Sequence, residues 1–157
     1  TDYVIMDQTL SSGSLIHKNI FNAIGGMDDG LFIDAVDEEY CWRIRRSGYL
    51  VVKDNSILLP HKIGIRDISL LNGIIKTSLP APIRHYYQFR NIITLSKRGY
   101  TPIYWKVSMM AKMVIRLVFF PLFLKDGLIR FKYMRRGIAD GLFFKRLGSY
   151  YDYYGDN

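Results

Sequence analysis

The chain has 157 residues, 49% of them apolar and 23% charged, which fits one globular domain and excludes a disordered tail; roughly 100–150 residues make an average domain, so a complete two-substrate enzyme of this length would be unusual. Its one cysteine, Cys41, excludes an internal disulfide framework and a multi-cysteine zinc cluster, and the Thr1-Asp2-Tyr3 start lacks a signal-peptide layout, so a reducing, cytoplasmic setting is the expectation. The net charge of +8 is split between an acidic front, residues 1–61 at −4, and a basic, aromatic back, residues 62–157 at +12, which suits a polyanion: nucleic acid, an anionic membrane surface or a diphosphate-bearing substrate.

Tyr3-Val4-Ile5-Met6 reads as a short strand, and Leu10 to Ile16 as a second extended piece in which Gly13 marks close backbone approach. From His17 to Ile24 the spacing of Ile20, Phe21 and Ile24 predicts a helix, stopped by Gly25-Gly26. After the Met27-Asp28-Asp29-Gly30 loop a second helix is predicted from about Ala35 to Ser47, capped by Asp34 and ended by Gly48. Tyr49 to Lys53 and Ile57 to Leu59 read as paired short strands about the Asp54-Asn55 turn, closed by Pro60.

Residues 62–82 are polar and weakly patterned. Pro80 and Pro82 then mark a boundary before a helix from about Ile83 to Lys97, ended by Gly99. Two parts are therefore expected, 1–80 and a helical, basic 81–157. Ile103 to Leu124 is the most apolar stretch, but Lys106, Lys112 and Arg116 interrupt it, which favours an interfacial or partner-packed helix over a spanning one of about 20 apolar residues.

Asp34, Asp37, Glu38 and Glu39 crowd the predicted start of the second helix. Such acids complement a helix dipole, and that alone accounts for many such clusters. The same dipole favours the ionised carboxylate, so one of them could serve as a general base. A lone histidine, His61, follows a predicted strand end, where a neutral imidazole suits a metal or a diphosphate. A satisfied surface histidine is the competing reading.

Together, Ser12-Gly13-Ser14, Gly25-Gly26-Met27-Asp28, Phe32-Ile33-Asp34-Ala35-Val36-Asp37-Glu38-Glu39-Tyr40-Cys41-Trp42-Arg43, Gly48-Tyr49, His61-Lys62-Ile63-Gly64 and Pro82-Ile83-Arg84-His85-Tyr86-Tyr87-Gln88-Phe89-Arg90-Asn91 resemble inverting family 2 glycosyltransferases, especially bacterial rhamnosyltransferases. The resemblance covers roughly residues 3–98. It implies an α/β fold, the C-terminal half of a GT-A domain with short strands and helices, followed by an α-helical basic and aromatic tail. The leading βαβ units and an Asp-x-Asp metal motif are expected upstream, so the chain reads as the acceptor-side half.

The resemblance further implies roles. Asp37 matches the carboxylate that deprotonates the acceptor hydroxyl, with Glu38 and Glu39 in neighbouring motif positions; Glu39 stands where wider relatives carry aspartate. Asp34 competes, but as N-cap its oxygens should be taken by backbone N–H groups. His61 matches a histidine that holds the metal or donor diphosphate, and Ser12 and Gly13 resemble the small-residue strand lining the substrate cleft. Arg84 and Arg90 are candidates for the departing diphosphate. The implied cofactor is a divalent cation, Mg²⁺ or Mn²⁺, held largely by the upstream half. The implied partners are a nucleotide-diphosphate sugar, rhamnose first, and a glycan or lipid-linked acceptor in surface polysaccharide synthesis, on the inner face of the cell membrane.

The basic, apolar back half fits a membrane surface, a homo-oligomer interface or docking to the absent half about equally well. A nucleic-acid-binding module and a non-catalytic assembly module are the alternative functions. The former leaves the acidic helix start unexplained, so no nucleic acid partner is expected.

Overall fold

The computed structural model describes residues 2–60, 67–70 and 75–143. Strand β1 (Tyr3–Met6) pairs antiparallel with β2 (Val51–Asp54), Tyr3 opposite Asp54 and Met6 opposite Val51. Between them lie α1 (Lys18–Ile24), a 3₁₀ turn (Asp29–Leu31) and α2 (Val36–Arg46). A hairpin, β3 (Asp67–Leu70) with β4 (Ile75–Ser78), leads to three helices, α3 (Pro82–Ser96), α4 (Ile103–Phe123) and α5 (Gly127–Phe143). The molecule is mixed α/β and mostly helical.

Several element ends follow from local chemistry. Gly25, at φ 74°, ends α1, and its N–H donates to the Phe21 carbonyl. Gly48, at φ 83°, follows α2 in a Schellman arrangement, its N–H on the Arg45 carbonyl and that of Tyr49 on the Ile44 carbonyl. Pro82 opens α3 at its first turn, where a missing N–H costs nothing.

Helices α3 and α5 run parallel, because their contacts climb together: Arg130 reaches Pro80 and His85, Gly137 lies on Tyr86 and Phe89, and Lys97 donates to the Gly141 and Leu142 carbonyls. The approach needs glycine. A Cβ on Gly137 would stand 2.4 Å from the Tyr86 carbonyl oxygen, and one on Gly141 2.9 Å from that of Arg90. The Gly137-x-x-x-Gly141 spacing puts both on one face, so the backbones themselves form the seam.

The main core joins Leu31 and Trp42 to Phe89, Leu95, Trp105 and Met134, and so draws on both sides of the boundary expected near residue 80. Trp42 and Trp105 meet edge to face with centroids 5.1 Å apart. A second cluster of Ile24, Tyr40, Cys41, Ile44 and Val51 fixes α1 and β2 to α2.

Four expectations change. Residues 10–16 form a turn, with Ser14 N–H on the Ser11 carbonyl, in place of a strand. Residues 57–59 are not a strand, and β2 pairs with β1 instead. The weakly patterned 62–82 stretch holds the β3–β4 hairpin. Asp34 does not cap α2; Ala35 takes that position, without a side-chain cap.

Candidate functional site

The segment entering α2 is strained at three residues that lack glycine's freedom: Phe32 at φ 62°, Asp34 at φ 68° and Ala35 at φ 64°. The Ile33 N–H closes on the Leu31 carbonyl at 2.7 Å, so the chain reverses tightly at Phe32 in a γ-turn. Each such residue costs about 1–3 kcal/mol and persists only where its surroundings over-determine it.

Helix α3 supplies that determination. The buried Asn91 side-chain amide donates to the carbonyls of Leu31, Ile33 and Asp34 at 2.8–2.9 Å. Arg90, also buried, donates to the carbonyls of Gly30 and Leu31 at 2.7 and 2.9 Å and to Asn91 Oδ1. Backbone acceptors with no partner in a helix or sheet are thus satisfied from one side.

Four carboxylates then meet four environments. Asp34 turns outward into a two-pronged pair with Arg84, Nε to Oδ2 at 2.9 Å and Nη2 to Oδ1 at 2.8 Å, and that pairing, against α3, is why it caps nothing. Glu38 accepts from Trp105 Nε1 at 3.2 Å and Gln8 Nε2 at 3.3 Å. Burial pushes the Glu38 carboxyl above its usual range and the adjacent Asp37 charge adds to this, while the Trp105 hydrogen bond opposes it.

Glu39 is fully buried and accepts from Arg43 Nε at 2.7 Å, Arg98 Nη1 at 3.0 Å and the Tyr100 hydroxyl at 2.5 Å. Arg98 also pairs with Asp28, and burial with the Glu39 charge pushes the Tyr100 hydroxyl up to about 12. Arg43 continues to the Ile24 and Gly26 carbonyls, tying α2 to the turn after α1. Asp37, partly exposed on the first turn of α2, carries neither a hydrogen bond nor an ion pair among the described residues.

Of the predicted site residues, the structure therefore gathers Asp34, Asp37, Glu38 and Arg84 at the start of α2. Glu39 is fully buried and Arg90 largely so, at 8% exposure: Glu39 anchors the helix and Arg90 the loop. Ser12 and Gly13 lie on an exposed turn where Leu59 presses on Gly13, and the segment meets α2 earlier, through Gln8 and Thr9. His61 lies outside the described residues. Among the described residues no set of three His, Cys, Asp or Glu side chains converges to hold a metal ion.

Sequence reasoning gave no role to Asn91, Asp28, Arg98 or Tyr100. Asn91 directly follows Arg90 in the stretch that carried the family resemblance, and that adjacency was the available signal.

The chain is 31% identical over 130 residues to the dTDP-rhamnosyl transferase RfbF of Shigella flexneri, an alignment that takes in 83% of this chain and 42% of that protein. It thus spans less than half the length of the relative it matches. No family model and no solved structure matches it.

Proposed function

We propose that this chain forms the acceptor-side part of an inverting glycosyltransferase of GT-A type and that Asp37 is its general base. The observation that carries this is the division of labour at the start of α2: among the described residues, Asp37 is the one carboxylate of the four left without an internal partner, on the first helical turn after a strained loop clamped from α3. The rhamnosyltransferase likeness supports the reaction class.

Asp37 would accept the proton of an acceptor hydroxyl as its oxygen attacks the anomeric carbon of the donor. The bond to the nucleoside diphosphate breaks on the opposite side and the configuration inverts. Arg84, half exposed and paired with Asp34 just ahead of α2, would meet negative charge on the donor when substrate competes for that pairing. A nucleotide-diphosphate sugar, dTDP-rhamnose first, is the proposed donor, with a glycan or lipid-linked acceptor. The implied Mg²⁺ or Mn²⁺ would be held by residues other than those described.

The test is transfer from dTDP-rhamnose, with Mg²⁺ or Mn²⁺, by the longest chain that carries these residues, against its Asp37→Asn form. Loss of a general base lowers turnover by about 10²–10⁴-fold, while urea unfolding shifts by no more than about 1 kcal/mol, the share of one charge at a helix N-terminus, because Asp37 makes no internal bond. Near-normal turnover of Asp37→Asn defeats the assignment.

A further inference from the structure

The outer side of α4 is apolar along its whole length. Tyr104, Val107, Val114, Ile115, Val118 and Leu122 are each more than half exposed, and at about 100° per residue they fall on one side of the helix. The charged residues of α4 lie off that face: Lys106 donates to the Arg98 carbonyl at 2.9 Å, Arg116 to Gln88 at 3.2 Å, and Lys112 borders it. The opposite side buries Trp105 and Met113. Twenty-one residues make a strip about 30 Å long, and apolar patches of that extent mark a partner.

The surrounding charge indicates which partner. At the elbow between α4 and α5, Leu122, Phe123, Leu128 and Ile129 stand exposed around Lys125, and α5 continues with exposed Lys132, Arg135 and Arg136. The carboxylates of this region, Asp126 and Asp140, are already engaged, Asp126 by Arg130 at 2.7–2.8 Å and Asp140 by the Tyr86 hydroxyl at 2.8 Å and by Arg136 Nε at 3.7 Å, so Lys125, Lys132 and Arg135 are the cations they leave unmatched. The surface thus offers apolar side chains bordered by unbalanced cations.

A second copy seated on this face would set cation against cation. No helix among the described residues is long and apolar enough to cross a membrane. An acidic bilayer surface accepts both features, apolar side chains at the acyl boundary and lysine and arginine at the headgroups.

We infer that α4 and the α4–α5 elbow form a docking surface for an anionic lipid bilayer, with α4 lying in the plane of the interface. This stands apart from the transferase reading and is tested without it. The experiment is co-sedimentation of the chain with vesicles of phosphatidylcholine alone or mixed with phosphatidylglycerol.

Retention on the acidic vesicles only, falling as salt rises, is the expected result. Val114→Asp with Val118→Asp abolishes it. Lys125→Glu with Lys132→Glu weakens it at least tenfold, taking about 1 kcal/mol for each charge near the surface. All four positions are exposed, so the far-ultraviolet circular dichroism of both variants stays that of the parent. Equal retention on both vesicles, or retention untouched by either pair, overturns the inference. So does a stable dimer that the valine pair dissociates, which assigns the face to a second copy, or loss of retention in the longer chain, which assigns it to a segment outside residues 1–157.

Discussion

The loop entering α2 and the seam between α3 and α5 both rest on α3, and they are held by opposite means. At the loop, two polar side chains of α3, Arg90 and Asn91, reach out to carbonyls of a strained backbone. At the seam, α3 offers its backbone at Tyr86 and Arg90, and α5 answers with glycines that have nothing to put in the way. Hydrogen bonding fixes the position of a few atoms; close packing supplies stability. One helix therefore ties the placement of Asp37 to the integrity of the helical layer, and substitutions at the two regions should separate stability from function.

The largest expected effect is at the seam. Gly137→Leu drives a side chain into the Tyr86 carbonyl and Phe89, neither of which can retreat without moving α3, and overpacking of this kind costs about 3 kcal/mol. Urea unfolding measures it. A variant as stable as the parent would mean that α5 does not lie on α3 through its glycines, and the contrast between the regions would collapse.

The seam also sets a pH dependence. His85 is buried, with Nε2 2.8 Å from Arg130 Nη1 and its ring edge to face with Phe120. Burial first, then the Arg130 charge, lowers its pKa from 6.5 to about 4, with Arg116 acting in the same sense and Gln88 and Asp126 opposing. The unfolded chain therefore takes up a proton near pH 6.5 that the folded chain refuses until about pH 4. Stability from this group is complete above pH 6.5 and is lost as pH falls toward 4, by about 3 kcal/mol in all. Unfolding free energies from pH 7 to 4.5 should show the slope, and His85→Gln, which keeps an acceptor for Arg130, should flatten it. An equal slope in the variant would place the titrating group elsewhere.

The sequence displayed the parts of this arrangement that are local. Gly25, Gly48 and Pro82 set helix ends through the backbone freedom of the residue itself, so α1, α2 and α3 fall within a residue or two of their expected limits. The cap of α2 was misread because its competitor is distant: Asp34 is taken by Arg84, and the turn before it is held by Asn91, nearly sixty positions along the chain. The β1–β2 pairing joins residues about fifty apart, and nothing in a period-2 pattern names a partner. Two signals were present and unused, the Asn72-Gly73 dipeptide between β3 and β4 and the Gly137-x-x-x-Gly141 spacing of α5. Within the acidic cluster the residue types alone could not tell which carboxylate is buried; the structure shows two arginines and a tyrosine converging on Glu39 and no internal partner for Asp37 among the described residues.

The loop gives the smallest effect on stability and the sharpest on function. Asn91→Ala leaves the Leu31, Ile33 and Asp34 carbonyls short of a buried donor, which costs about 2 kcal/mol. Part of that is returned as Phe32, Asp34 and Ala35 relax from their left-handed backbone. The relaxation moves the first turn of α2, and displacement of a reacting group by about 1 Å is enough to lower turnover about 10²-fold. At a temperature where the variant remains folded, its transfer rate should therefore fall by far more than its stability, whereas Gly141→Ala at the seam should lose stability and keep its turnover while folded. If Asn91→Ala is destabilised and still turns over normally, the clamp serves the fold alone and the strained loop does not place the base.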